Sequence, residues 1–140
     1  MILEGAKLKL EPLKNITYFL DLADRDNKYE YSRNETRDFI NKCGCEFWKV
    51  YAKGEAIGVV GYFKVNGYYV LEGLKDKDAP AHYRYSMEAA RLVMDYVFRF
   101  ADKIRTCARV NDKAVQILCR KLEFKEYARK DYLILYEKER

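Results

Sequence analysis

Apolar residues follow first a strand-like and then a helix-like spacing along the first third of the chain. Residues 6–12 alternate polar and apolar and end at a proline, which predicts a short strand. Apolar residues then recur at helical spacing, and Asn15 is placed to cap that helix. A second helix is predicted over 34–42, with Ser32 or Asn34 as its cap. The apolar face of the first helix contains Ile16, Phe19, Leu20 and Ala23.

The middle of the chain has the pattern of a three-stranded antiparallel meander. Residues 46–53, 56–65 and 68–74 are rich in aromatic and β-branched residues and are separated by short glycine-containing turns. Asn66-Gly67, between the last two runs, predicts a tight hairpin because both residues tolerate the positive φ that such a turn requires. We therefore expect three consecutive strands joined by tight turns.

The second half returns to helical spacing before it ends in strands. Residues 83–101 are predicted to form a helix and 103–110 a strand. A further helix follows, capped by Asn111 or Asp112, and 125–139 has the pattern of a closing hairpin. The apolar stripe of the first helix contains Tyr85, Ala89, Leu92, Val93, Tyr96, Val97 and Phe100, and that of the second contains Ala114, Ile117, Leu118 and Leu122.

The element order is therefore β-α-α-β-β-β-α-β-α-β-β. The strand–helix–strand step across 68–110 implies a parallel strand pair joined by a crossover helix, and the flanking strands are antiparallel. We expect an α/β (α+β) fold, with a mixed central sheet of about six to seven strands and helices on both faces. The elements leave no linker between them, so we expect one domain over 1–140.

Composition excludes several classes of protein. With 140 residues, 49% of them apolar and 15% aromatic, the chain can bury a full core, and intrinsic disorder is not expected. No apolar run approaches the roughly 20 residues that span a bilayer. The N-terminal residues lack the long apolar core of a signal peptide, so we expect a cytoplasmic protein. The net charge of +5 fits a phosphate-bearing ligand, a nucleic acid or simple solubility.

The four cysteines do not have the spacing of a metal site. Cys43 and Cys45 are separated by one residue, whereas zinc ligands in a pair usually leave two to four residues between them. The single histidine, His82, lies far away in the sequence. We therefore expect no metal and reduced thiols that are buried or partly exposed, as is usual inside cells.

Two local sequences carry a resemblance to a known family. Residues 111–124 have an Asn, a small residue three positions on, and a leucine-containing turn that ends in Lys-Leu-Glu-Phe. Residues 87–92 contain a Glu-Ala pair at the start of the long helix. With the element order, they resemble the GNAT superfamily of N-acetyltransferases over nearly the whole chain. The resemblance implies the acyl-CoA N-acyltransferase fold, with acetyl-CoA as co-substrate and an amine-bearing acceptor.

The chain departs from this family at the turn that binds the pyrophosphate of the co-substrate. The family has glycines where the strand turns into the long helix, and this sequence has His82 and Arg84 there. Helix N-termini bind anions through free N–H groups and the helix dipole. The resemblance therefore implies cofactor binding by His82, Tyr83, Arg84, Tyr85, Ser86 and Met87. The alternative is that the bulky residues block the turn and the fold has lost its co-substrate.

The resemblance also implies how acetyl transfer would be catalysed. Backbone N–H groups of Leu74, Lys75 and Asp76 would hold the acetyl carbonyl, and a gap between 70–76 and 103–111 would admit the pantetheine arm. Glu72 is the candidate general base, because it is the one acidic residue within an apolar strand. The alternative is that Glu72 points outward and is merely solvated.

The last helix supplies two further candidates. Cys119 stands where family members often place a tyrosine that protonates the leaving thiolate, and it is either that acid or a packing residue. Asn111 either bonds the pantetheine arm or caps its helix. Glu123 replaces a family glycine, which predicts a modified helix end.

The acceptor is less readable from the sequence. The polar segment 24–35 corresponds to the region that shapes the acceptor site in the family, and its acidic residues, Asp24, Asp26, Glu30 and Glu35, could attract an amine of a protein or small molecule. A catalytically inactive, partner-binding member of the fold is the alternative function. Nucleic-acid binding through the scattered arginines is less favoured because they form no cluster. We expect a monomer or a homodimer.

Overall fold

An eight-stranded mixed sheet forms the centre of the computed structural model, which describes residues 1–26, 32–78 and 83–140. The strand order is β1-β2-β3-β4-β5-β6-β8-β7, and every neighbouring pair is antiparallel except β5 and β6, which are parallel. The strands are β1 (Leu3–Glu4), β2 (Leu8–Pro12), β3 (Gly44–Ala52), β4 (Glu55–Val65), β5 (Tyr68–Lys75), β6 (Lys103–Arg109), β7 (Lys125–Lys130) and β8 (Leu133–Glu139). The helices are α1 (Thr17–Asp26), α2 (Arg33–Lys42), α3 (Tyr83–Val97) and α4 (Lys113–Lys121).

The helices cover both faces of this sheet, which confirms the predicted architecture. On one face, α1 and α2 pack on the sheet through a smaller core that includes Phe19, Ile40 and Phe63. On the other face, α3 and α4 share a larger core with the sheet, in which Trp48 and Val93 are fully buried. The predicted count of six to seven strands is one short, because β1 has only two residues and carries no periodicity to detect.

The predicted hairpin at Asn66-Gly67 is confirmed. Val65 pairs with Tyr68, and the two turn residues have φ of 51° and 82°. Both values lie in the left-handed region, which glycine adopts freely and asparagine tolerates. This turn sets the register of β4 against β5, and that register decides which β5 backbone groups face away from β4.

Helix ends differ in detail from the sequence-based expectations. Ser32, not Asn34, caps α2, because its side chain accepts the N–H of Glu35 while the Glu35 side chain accepts the N–H of Ser32. Helix α3 ends at Val97 rather than 101, in a tightened last turn, and Phe100 is therefore 50% exposed instead of lying on the buried stripe.

The end of α4 keeps the geometry that glycine usually provides. Glu123 has φ of 67°, and the N–H of Phe124 donates to the carbonyl oxygen of Cys119 at 3.0 Å. This is the usual left-handed termination of a helix, formed here by a residue that has a side chain. The predicted modification of this helix end is therefore wrong.

Within the described ranges, no helix is both long and apolar enough to cross a membrane. No disulfide joins the four cysteines to one another. The described part of the chain contains no group of three or more His, Cys, Asp or Glu side chains that could hold a metal ion.

Candidate active site

A cleft opens between the parallel strands β5 and β6. The two strands pair only at Tyr69↔Ile104 and Val70↔Arg105. Beyond these pairs β5 continues to Lys75 and β6 continues to Arg109, but the ladder between them has stopped. Because the strands are parallel, the open part lies at the carboxyl end of β5, from which the chain continues to α3. This is the gap expected between 70–76 and 103–111.

Side chains donate to backbone carbonyl groups at both ends of the cleft. The Thr106 hydroxyl donates to the carbonyl oxygen of Leu71 at 3.0 Å, at the point where pairing ends. The Gln116 amide nitrogen donates to the carbonyl oxygens of Arg109 at 2.9 Å and Val110 at 3.0 Å. Gln116 is only 7% exposed. Both strands can therefore separate without leaving these carbonyls unpaired.

Neither Thr106 nor Gln116 was identified by the sequence analysis. The predicted apolar face of α4 included Ile117, which is 47% exposed, and omitted Gln116, which is buried. The helix is thus rotated relative to the prediction. The sequence did contain one indication of the role of Gln116, which is an uncharged amide between two apolar residues. Glutamine is rarely buried unless its amide bonds to backbone groups.

Only one of the three β5 amides predicted to hold the acetyl carbonyl faces the cleft. The N–H of Asp76 donates to the carbonyl oxygen of Ile57 at 2.9 Å, so it is directed at β4. Since backbone groups alternate along a strand, the N–H of Leu74 also faces β4, and those of Gly73 and Lys75 face the cleft. The prediction for Leu74 and Asp76 is therefore wrong in direction, and Lys75 remains a candidate.

Glu72 places its carboxylate at the edge of the cleft. Its Oε1 atom accepts the N–H of Gly73 at 3.0 Å, and that N–H points to the β6 side of the strand. The residue is half-buried. A carboxylate in this position is within reach of a molecule that enters the cleft.

Cys119 lies in the larger core rather than in the cleft. It is 4% exposed, and burial raises the pKa of its thiol to about 12, with smaller contributions from Cys107 and Asp112. A thiol with this pKa is a poor proton donor to a thiolate, whose ordinary pKa is about 8.5. The structure therefore favours the packing role for Cys119 over the acid role.

The start of α3 is the predicted phosphate site, and the structure describes part of it. Helix α3 begins at Tyr83 and has no acidic residue in its first turn. His82 lies outside the described residues, as do the side chains of Tyr83 and Arg84. The first N–H groups of an α-helix have no carbonyl partner within the helix. The first turn can therefore present N–H groups to an anion.

Met87 does not contribute in the predicted way. Its N–H lies one turn into the helix, where it pairs with the carbonyl of Tyr83, and its side chain packs against the larger core, as does that of Tyr85. One residue later, both carboxylate oxygens of Glu88 accept the N–H of Lys7 at 3.2 Å. This contact joins α3 to the turn between β1 and β2.

Asn111 is exposed and does not cap α4. The cap is Asp112, whose side chain accepts the N–H of Val115 at 3.2 Å. Of the two roles predicted for Asn111, the cap is therefore wrong. Asn111 lies two residues after the end of β6, and contact with a ligand in the cleft remains a prediction.

The acidic residues of the predicted acceptor region are largely engaged with other groups. Arg33 forms ion pairs with Asp21 at 2.9 Å and with Asp24. Glu35 belongs to the α2 cap. Glu30 and the side chain of Asp26 lie outside the described residues. The structure thus favours the reading in which Asp24 and Glu35 are compensated locally.

Solved structures with the same fold are acetyltransferases. An acetyltransferase from Agrobacterium tumefaciens str. C58 superposes with a TM-score of 0.80 at 16% identity, over 100% of this chain and 95% of that one. A RimL ribosomal L7/L12 alpha-N-protein acetyltransferase in complex with coenzyme A has a TM-score of 0.72 at 15% identity, over 99% and 98% of the two chains. In that complex, coenzyme A is joined to a cysteine of the enzyme by a disulfide.

A third similar structure has a described acceptor. It is an acetyltransferase from Salmonella typhimurium that modifies the N-terminal serine of 50S ribosomal subunit protein L7/L12, with a TM-score of 0.66, 16% identity and 99% coverage of both chains. No family model matches the sequence, and no curated protein matches it either. The chain therefore has the fold of the GNAT-family acetyltransferases, as its sequence pattern predicted.

Proposed function

We propose that the protein is an acetyl-CoA-dependent N-acetyltransferase that acts on a primary amine of a protein or small molecule. The observation that carries this proposal is the cleft between β5 and β6, where pairing stops after two residue pairs. The arm of acetyl-CoA is extended and contains amide groups, which suit two strand edges that are no longer joined to each other. Acetyl-CoA supplies the chemistry as a thioester that acylates amines.

Backbone groups of β5 would bind the reacting carbonyl. The N–H of Lys75 faces the cleft, and donors that point at the developing oxyanion lower the barrier to acyl transfer. Gly73 lies on the same edge two residues earlier. A rigid strand in the middle of a sheet holds such donors in place before the substrate arrives, so little reorganisation is needed.

Glu72 would accept a proton from the attacking amine. Its carboxylate lies at the cleft edge, beside the amide of Gly73. An amine must lose a proton to form the amide bond, and a carboxylate within reach accepts it either directly or through water. Because the thiol of Cys119 is buried, we propose that the leaving thiolate is protonated by Glu72 or by water.

The first turn of α3 would bind the phosphates. It contains no acidic residue, and the sequence has Arg84 within it. Helix N–H groups and the helix dipole attract anions whichever side chains are present, so loss of the family glycines does not by itself remove the site. Asn111, at the other side of the cleft, is a second candidate contact for the co-substrate.

The similar structures support a protein amine as acceptor. One of them acts on a protein N-terminus and another binds coenzyme A, at identities too low to transfer these properties by themselves. A catalytically inactive, partner-binding protein is the competing function. It predicts a cleft that does not bind acetyl-CoA at all.

Two measurements separate these functions. Acetyl-CoA at one hundred times its Kd is expected to stabilise the fold by about 2.7 kcal/mol, which is seen as a rise in Tm. The Glu72→Gln variant is expected to keep this rise but to lose about 100-fold or more in kcat, the usual contribution of a general base. Glu55→Gln, at an exposed position at the start of β4, is the matched control and should retain full activity.

No rise in Tm with millimolar acetyl-CoA would contradict the proposed activity and favour the binding protein. A normal kcat in Glu72→Gln, with the rise in Tm intact, would instead reject Glu72 as the base.

A further inference from the structure

Arg105 lies at the closed end of the cleft, on the face of the sheet opposite α3. It pairs with Val70 in the last pair of the β5–β6 ladder. Ile104 and Ala108 of the same strand pack in the larger core with α3 and α4. Since side chains alternate along a strand, Arg105 is directed to the face that carries α1 and α2. In the described ranges, the sheet residues of the smaller core under these helices all lie on β3, β4 and β5, so Arg105 lies beyond that core.

Two tyrosines and a carboxylate hold the Arg105 guanidinium in place. Its Cζ atom lies 3.5 Å from the centre of the Tyr68 ring, which reaches it from β5, and 4.7 Å from that of Tyr127, which reaches it from β7. Its Nε atom donates to Glu137 at 2.9 Å in a half-buried contact. Of the residues that the structure describes, none accepts a hydrogen bond from the two Nη atoms. A guanidinium stacked in this way can still bind a carboxylate through the N–H groups at its edge.

The surroundings of Arg105 are basic. The pairing register places five basic and two acidic side chains on this face of β6, β7 and β8, strands that the structure describes in full. One of the acids, Glu137, pairs with Lys103 as well as with Arg105, so two cations share this carboxylate. The excess of positive charge attracts an anionic ligand to this face. The basic residues are Lys103, Arg105, Arg109, Lys125 and Lys130, and the acidic ones are Glu137 and Glu139.

The position of Arg105 relative to Glu72 sets the separation between a bound carboxylate and the reacting amine. Glu72 is two residues beyond Val70 and so lies on the same face of β5 as Val70. With ordinary strand spacings, the Cα atoms of Glu72 and Arg105 are roughly 8 Å apart. An extended peptide advances roughly 3.3–3.6 Å per residue. With its N-terminal amine at Glu72, a peptide would therefore bring the side chain of its second or third residue to Arg105.

We propose that Arg105 is a specificity-determining residue that binds a carboxylate of the acceptor, and that the acceptor is a peptide with an acidic residue close to its amine end. A guanidinium that Tyr68 and Tyr127 already order loses little side-chain entropy when it binds this carboxylate. The link to acetyl transfer rests on the proposed function, whereas recognition of an acidic peptide by Arg105 does not.

Two peptides and two variants test this proposal. The peptides are Ala-Glu-Glu-Ala and Ala-Gln-Gln-Ala, both with a free N-terminus and an amidated C-terminus, and they differ in charge but hardly in shape. Arg105→Met removes the guanidinium, and Lys103→Met is the matched control because it removes a neighbouring cation that also pairs with Glu137. The Kd of each peptide is measured by isothermal titration calorimetry.

The wild-type protein is expected to bind the Glu peptide about tenfold more tightly than the Gln peptide, the effect of one charge-assisted pair. Arg105→Met should abolish this preference and change the Kd of the Gln peptide by less than about twofold. Lys103→Met should keep the preference. A purely structural role of Arg105 would instead lower stability and weaken both peptides alike.

Acetylation of the same peptides gives the second readout. In the wild type, the KM for the Glu peptide should be about tenfold below that for the Gln peptide, with kcat values within about twofold. In Arg105→Met only the KM for the Glu peptide should rise. If the preference in Kd is found but neither peptide is acetylated, recognition by Arg105 is supported and the proposed function fails. If both peptides are acetylated with equal KM, the proposed function holds and the specificity proposal fails.

Equal Kd values of the two peptides for the wild type, including binding of neither, would overturn the proposal without any variant. A preference that survives in Arg105→Met, or that is lost to the same extent in Lys103→Met, would overturn it as well. Should Arg105→Met not fold, Arg105→Gln replaces it with the same expected result.

Discussion

Gln116 provides the sharpest test of how the open end of β6 is held, and we predict that Gln116→Met destabilises the fold by about 2 kcal/mol. The side chain is 7% exposed and donates to the carbonyls of Arg109 and Val110. Each such bond contributes about 1 kcal/mol, and a buried carbonyl left without a donor costs about 1–3 kcal/mol. Arg109 keeps the N–H of Asp112, which limits its loss, so the sum stays near two ordinary bonds.

Urea unfolding measures this loss. With a slope of about 2 kcal/mol/M, the midpoint should fall by about 1 M with the slope unchanged. Lys113→Met is the matched control, since it places the same side chain on an exposed position of the same helix and should change stability by less than about 0.5 kcal/mol. A loss in Gln116→Met as small as that of the control would refute the reasoning that the amide supports the β6 end.

Three other predictions concern local geometry. Glu123→Gly should raise the free energy of unfolding by about 0.5–1 kcal/mol in urea titrations, because Glu123 has φ of 67° and only its exposed contact with Lys138 is lost; a destabilised variant would contradict this. Gly61→Ala should lower the free energy of unfolding by at least about 2 kcal/mol, since the added Cβ would lie 2.1 Å from the Glu46 carbonyl oxygen. Gly44→Ala is the control and should be tolerated, since its nearest atom is 3.7 Å away. Equal urea midpoints for the two variants would show that the strands shift to accommodate the added Cβ. The pKa of the Cys119 thiol is raised in the fold, so the unfolded chain loses this proton first, and the stability that it contributes below about pH 9 is lost as the pH rises toward about 12. In this range the free energy of unfolding of Cys119→Ala should fall by up to about 1.4 kcal/mol less per pH unit than that of the wild type. Parallel plots of unfolding free energy against pH for the two proteins would exclude this contribution.

Features that local sequence determines were predictable. The Asn66-Gly67 turn, the meander on both sides of it and the Ser32 cap follow from residues that are adjacent in sequence. The crossover from β5 to β6 follows from strand–helix–strand order and the handedness of such connections. These features were sufficient to predict a mixed sheet with helices on both faces, whereas the family resemblance implied the gap between 70–76 and 103–111.

Features that depend on register or helix rotation were not predictable. Whether the amides of Leu74 and Asp76 face β4 or the cleft is decided by the pairing register, which one strand sequence does not contain. A small difference in the rotation of α4 about its axis decides whether Gln116 or Ile117 lies in the core, and in the structure Gln116 is the buried one. The hydroxyl of Thr106 matters only because the neighbouring strand ends its pairing there.

Glu72 lies at the edge of the cleft, and its role as general base stays a prediction. It was selected as the acid in an apolar strand, and the structure adds its contact with the N–H of Gly73. Cys119 was selected by its alignment with a family tyrosine, and burial in the larger core removes the basis for an acid role. A matching position in a motif therefore did not ensure a matching environment.

Hydrogen exchange of the wild-type protein with and without acetyl-CoA tests the central claim most directly. The account predicts that the co-substrate slows exchange at the amides of Gly73 and Lys75, along 107–109, and in the first turn of α3. These amides border the cleft or lie at the helix N-terminus. Unchanged exchange at all three places with millimolar acetyl-CoA, or protection confined to the α1–α2 face of the sheet, would contradict the account.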